Sequence, residues 1–173
     1  MSQIATYPAS SGGLTLIQSQ TLSTSAASVT FSGIPQTFSH LKLIINSVTS
    51  VTSAAAPIEL TINGDSGAHY FYNVITNSFG TNPTAVSTSS AAFAVMGDAG
   101  DNNASAAGNE ITIMGYSGST FGKAMTGVCS STTLGVYTTA GLWTQTAPVT
   151  SVTLTLGSGT FTAGSTFSLY GMQ

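Results

Sequence analysis

Along much of the chain, apolar residues alternate one by one with Ser, Thr and Asn. Near the carboxyl end Val152, Leu154 and Leu156 alternate with Thr153 and Thr155. This is the two-residue period of a strand with one buried and one polar face. Gly157 to Gly164 is rich in turn formers, and a last strand follows with Phe167 and Leu169 on one face and Tyr170 on the other. The pattern predicts a closing hairpin. Its strands should pair with others laid down much earlier, because the backbone groups of a terminal strand need partners.

The same period predicts strands over Leu14 to Leu22, Val29 to Phe31 and His40 to Ser47. In the last of these Leu41, Leu43 and Ile45 share one face and Ile44 lies on the other. Both faces look covered, which places this strand centrally in a sheet. Ile58, Leu60 and Ile62 alternate with Glu59 and Thr61 and run into Asn63-Gly64, then Tyr70-Phe71-Tyr72. Asn-Gly is a strong two-residue turn signal, so Ile58 to Ile75 reads as a hairpin. Thr76 to Ser90 reads as a polar loop, Ala91 to Met96 as a short strand and Gly97 to Asn109 as a second polar loop. Glu110 to Tyr116, Phe121 to Cys129 and Leu134 to Trp143 add three more strands. Roughly ten short strands without a helical period predict an all-β fold, a jelly-roll β-sandwich with Greek-key connections. Residues 14–173 form the single jelly-roll domain, and residues 1–13 a short extended N-terminal arm ending in Ser-Ser-Gly-Gly. Ile4, Tyr7 and Pro8 are the apolar residues through which this arm would dock at an interface.

Composition narrows the function. Of the 173 residues only 4% are charged, against about 25% in an average soluble domain. The 42% hydrophobic content argues against disorder. Arginine is absent, Lys42 and Lys123 are the only lysines, and the formal net charge is −3. So few cations cannot neutralise a run of phosphates, which excludes nucleic-acid binding and polybasic membrane contact. Cys129 is the only cysteine, so there is no internal disulfide and no cysteine-based zinc site. No secretion signal and no stretch of about 20 apolar residues is read, so synthesis in a cytosol is expected.

Candidate chemistry is sparse. Gly64-Asp65-Ser66-Gly67 spells the nucleophile motif of chymotrypsin-like proteases. That serine needs a histidine base, a buried aspartate and an oxyanion hole, whereas the turn after Asn63-Gly64 accounts for the residues without them. His40 and His69 are two lone histidines with no metal-ligand spacing, and backbone-bonded turn ends are expected. Asp98, Asp101, Asn102 and Asn103 cluster oxygens in one loop, but not at the EF-hand spacing, so a solvated loop is favoured over calcium. Tyr70, Phe71, Tyr72 and Trp143 suit a sugar-binding face, yet alternate aromatics more often pack. Cys129 reads as a small buried apolar residue, and Glu59 and Glu110 sit singly on strands, with no acid/base pair. No enzyme, cofactor or metal is expected.

Taken together, Val29 to Pro35, Leu41 to Ile45, Ile58 to Asp65 with Tyr70 and Tyr72, Ile111 to Tyr116, Trp143, Val149 to Leu156 and Gly164 to Gly171 form a spaced pattern. It resembles jelly-roll virion structural proteins of tailed bacteriophages, many of which end in a Ser-x-Tyr-Gly-like strand. The resemblance spans most of Val29 to Gln173 and leaves the first 28 residues uncovered. It implies a homotrimer made in the host cytoplasm that decorates the virion surface as a cement protein. Its partner would be the major capsid protein, with Ile4, Tyr7 and Pro8 at the capsid or subunit interface. The alternative it implies is a tail-fibre or receptor-binding module that binds host glycans.

Overall fold

The computed structural model describes residues 13–52, 54–77, 82–102, 106–131 and 135–173. They fold into two antiparallel sheets packed face to face. Eight strands form the framework. In the larger sheet they lie in the order β1 (Thr15–Thr21), β12 (Thr166–Met172), β3 (His40–Ser47) and β8 (Ala107–Met114). Facing them is the whole small sheet, β2 (Ser28–Ser32), β11 (Ser151–Leu156), β4 (Ala56–Ile62) and β7 (Ala94–Ala99). Consecutive strands alternate between the sheets and the last ones return between the first, which is the jelly roll. Four further strands widen the large sheet beyond β8, in the order β9 (Lys123–Ser131), β10 (Gly135–Trp143), β5 (Tyr70–Asn77) and β6 (Thr84–Ala91).

The alternating residues meet in the middle. Leu41, Leu43 and Ile45 of β3 face Ile58, Leu60 and Ile62 of β4, with Val152, Leu154, Phe167 and Leu169 in the same buried cluster. Phe161 and Phe167 pack edge to face with ring centroids 4.9 Å apart. A smaller cluster of Val74, Val95, Ala107, Cys129 and Tyr137 fills the space under the widened part of the large sheet. There β7 lies close against the other sheet. A Cβ on Gly127 of β9 would sit 2.4 Å from the Met96 carbonyl oxygen, so only glycine admits this approach.

The edges of the small sheet are closed by side chains of the large one. Gln18 and Gln20 of β1 donate to the carbonyls of Ser32 and Thr30 on β2, at 2.7 and 3.1 Å. At the other edge Asn109 of β8 accepts from the Asp98 N–H at 2.9 Å and donates to its carbonyl at 2.8 Å, copying a ladder partner. Thr139 Oγ1 donates to the Val95 carbonyl at 2.8 Å.

Several expectations need correction. The last strands have early partners, but they do not form a hairpin: β11 and β12 lie in opposite sheets. Asn63-Gly64 makes a tight turn, with φ of 54° and 68° and the Asp65 N–H donating to the Ile62 carbonyl at 2.9 Å. Yet β4 and β5 also lie in different sheets, because the chain crosses the end of the sandwich after Asp65. Within the expected loop from Thr76 to Ser90 lies β6, and Asp98 belongs to β7 rather than to a loop. Ser and Thr fill a strand with both faces wet, where no apolar period marks it. Although β3 is central, its outer face is open, and Ile44 is 38% exposed. Ile4, Tyr7 and Pro8 lie outside the described residues.

Candidate functional site

Among the described residues nothing covers the outer face of the large sheet. Register sets Ser168, Ile44, Glu110, Val128, Thr138, Ile75 and Ala85 in one line from β12 to β6. Val128 and Ile75 on that line are 54% and 52% exposed. Met114, Val136, Leu142 and Phe71 extend the apolar surface to either side. The charged pair on this face is Lys42 with Glu110, its ammonium 2.7 Å from the carboxylate. In the open such a pair adds little stability, but it leaves the face close to neutral. Two shallow depressions mark it. One, of about 550 Å³, is bordered by Ile44, Asn46, Glu110, Val128 and Ser130. The other, of about 340 Å³, is bordered by Phe71, Asn73, Ser87, Ala140 and Leu142.

A second arrangement closes one end of the sandwich. Asn63 Oδ1 accepts from the N–H groups of Thr150 and Ser151 at 2.8 and 3.1 Å, and its amide donates to the Pro148 carbonyl at 2.8 Å. Asp65 then gathers three donors: Trp143 Nε1–H at 2.7 Å and His69 Nδ1 at 2.8 Å on Oδ2, and the Gly67 N–H at 2.9 Å on Oδ1. Burial alone would raise the Asp65 pKa, but these hydrogen bonds and the nearby His69 outweigh it and hold the carboxyl below its usual range. His69, its Nδ1–H donated to Asp65, lines a cleft of about 270 Å³ together with Trp143 and Gln145. Asp65 thus ties the turn to the end of β10, while Ser66 stands exposed on it.

Other predicted residues scatter. His40 accepts from the Gly115 N–H at 3.0 Å, the backbone-bonded role expected of it, whereas His69 bonds a carboxylate. Three strands separate β3 from β5, so the two histidines do not meet. Of the candidate sugar-binding aromatics, Tyr70 and Trp143 are buried, Tyr72 is half-buried and only Phe71 is open on the outer face. Asp98 and Asp101 are buried, Asn102 donates its N–H to the Val51 carbonyl at 3.0 Å, and Asn103 lies outside the described residues. Among the described residues no three His, Cys, Asp or Glu side chains come together as metal ligands. Nor is any helix there long and apolar enough to cross a membrane. Glu59 lies beside Thr155 on the small sheet and Glu110 beside Lys42 on the large one, so the two are not paired. Cys129 is buried, and burial with the nearby Asp98 pushes its thiol pKa up to about 12.

Sequence reasoning missed two features. Lys123 is 1% exposed and donates to the carbonyls of Phe121 and Thr146 at 2.7 and 3.0 Å. Its position in the alternation of β9, in phase with Met125 and Cys129, was the available signal. Neither oxygen of buried Asp98 has a partner of hydrogen-bonding geometry among the described residues. Burial pushes its pKa up to about 7, outweighing the opposite effect of the nearby Ala99 N–H.

No protein-family model matches the chain, and no curated protein does. Among solved structures it is similar to the CBM40 module of Ruminococcus gnavus IT-sialidase, in a complex with α2,6-sialyllactose and another with α2,3-sialyllactose. Both show 10% identity and a TM-score of 0.38 over 90% of this chain, covering 93% of the first module and 92% of the second. At that distance the likeness is one of architecture: the chain is a β-sandwich distantly similar in structure to a carbohydrate-binding module.

Proposed function

We propose that this protein is a structural component of a tailed-bacteriophage virion, a decoration protein that lies on the capsid through the outer face of the large sheet. The observation that supports it is that face: a wide surface with exposed Ile44, Val128, Val136 and Ile75, and one self-neutralised ion pair. Several large apolar side chains exposed on one face, among neutral polar ones, suit an interaction site. Its affinity would come from apolar area at about 25 cal/mol per Å² rather than from charge. Binding should then change little with salt, since few ion pairs exist to be screened. The arm of residues 1–13, through Ile4, Tyr7 and Pro8, is the proposed second contact with the lattice or a neighbouring subunit.

Co-sedimentation with capsids that lack the protein tests this reading. Val128→Lys with Val136→Lys should reduce bound protein at least tenfold, while Ser28→Lys on the small sheet should bind as wild type. If the double variant binds normally, the outer face is not the attachment surface.

A second reading is a tail-fibre or receptor-binding module. The observation that favours it is the depression where Phe71 and Leu142 stand beside the amide of Asn73 and the hydroxyl of Ser87. An aromatic ring among neutral hydrogen-bonding groups suits a sugar. Binding to host cells that Phe71→Ala abolishes, without capsid binding, would decide for this reading.

A further inference from the structure

The jelly roll is complete without β5, β6, β9 and β10, and these strands carry the large sheet past the small one. At the end of this overhang β6 pairs with β5 alone, and no described strand lies at its outer edge. Solvent reaches both of its faces. Val86, which pairs with buried Val74 and so points to the inner side, is 58% exposed.

Free strand edges are normally blocked by charge, proline or a covering element. In this molecule the edges of the small sheet are blocked by Gln18, Gln20, Asn109 and Thr139. In contrast, β6 reads Thr-Ala-Val-Ser-Thr-Ser-Ser-Ala, with neither charge nor proline, and no charged residue occurs anywhere from Tyr70 to Ala91.

We propose that β6 is a self-pairing edge: two copies of the chain join β6 to β6 in antiparallel register about a two-fold axis, and the large sheet continues from one copy into the other. A second copy fits the chemistry better than a foreign charged strand. Two neutral edges meet without repulsion, whereas a charged strand finds no counter-ion. Centred on Val86, the register sets Val86 against its own copy, Thr84 against Thr88 and Ala85 against Ser87. Aliphatic and hydroxyl pairs of this kind stabilise antiparallel ladders. An isologous contact closes on itself, so assembly stops at two rather than at the three that the resemblance implies. This inference stands apart from capsid docking, since it uses the edge of the sheet rather than its face.

Light scattering coupled to size exclusion tests it on the full chain. The wild type should run with the mass of two chains. Val86→Lys should run as one chain with an unchanged far-ultraviolet spectrum, while Val128→Lys on the sheet face should remain two. Val86→Cys should form an intermolecular disulfide on mild oxidation; the buried Cys129 is not expected to. A wild-type monomer, a three-chain mass, or a Val86→Lys variant that stays paired would each overturn the proposal.

Discussion

Gln18 reaches from β1 across the flank of the sandwich and donates to the Ser32 carbonyl at 2.7 Å. The bond joins the edge strand of one sheet to the edge strand of the other. Gln20 repeats it one pleat away at Thr30. Residues 18 and 20 share a strand face, so two uncharged side chains close two carbonyls that a neighbouring strand would otherwise use.

Replacing both glutamines with alanine should therefore act in two ways. Stability should fall by about 1–2 kcal/mol, from two hydrogen bonds of roughly 1 kcal/mol each. The freed β2 edge should also make the protein associate. Urea titration reads the first effect and concentration-dependent light scattering the second. An unchanged midpoint would show that the glutamines only cover solvated carbonyls.

Gly127→Ala should be more damaging than its single methyl suggests. The added carbon meets the Met96 carbonyl at 2.4 Å and Thr139 Cγ2 at 2.7 Å, and the first of these is backbone. Separating β7 from β9 should cost about 2–3 kcal/mol, as overpacking does. A thermal midpoint within a degree of wild type would refute the close packing.

Asp98 makes stability depend on pH. Its carboxyl keeps its proton up to about pH 7 in the folded chain, but only to near the ordinary value of 3.8 when unfolded. Between these values the folded state binds more protons, so its stability is greatest at the low end and falls as pH rises through 7. Cys129 and Tyr137 beside it both have raised pKa values and stay neutral throughout. Asp98→Asn should flatten a decline of about 2–3 kcal/mol between pH 5 and 8. Equal slopes in the two proteins would place the charge elsewhere.

Asp65 and Ser66 should behave as opposites. Asp65→Ala leaves the buried Trp143 N–H without an acceptor and should cost about 2–3 kcal/mol. Because the Asp65 carboxyl is held low, its contribution is present above the ordinary value and is lost as pH falls below it. Ser66→Ala should leave stability unchanged, and a serine-directed fluorophosphonate should not label Ser66. Labelling would give the turn a chemistry that its hydrogen bonds do not suggest.

The sequence announced most strands because burial on one face writes itself as alternation. His40 to Ser47 was read to the residue. Thr84 to Ala91 was missed because nothing covers either face, so selection for apolar residues left no period. The sheet assignment of β5 was hidden for another reason. Asn63-Gly64 reports only a reversal of direction, and whether the next strand returns beside β4 depends on Asp65 meeting Trp143, 78 residues away. Asp98 looked like a loop residue because its neutral, buried state comes from strands distant in sequence. Likewise the open outer face was invisible, because the exposure of Val128 and Ile75 follows from which strands cover them and not from their own segments.

The interleaving of the first and last strands governs how the chain can fold. Among the described strands, the backbone ladder of β1 runs only with β12 and that of β2 only with β11, so both wait for partners more than a hundred residues downstream. A ribosome that has not yet released Ser151 to Met172 holds two early strands with open edges and no sheet to join. Loop closure over such separations is slow, and the uncharged segment is exposed to aggregation meanwhile. Synthesis of this protein therefore passes through a vulnerable interval that ends only when β11 and β12 slide into place.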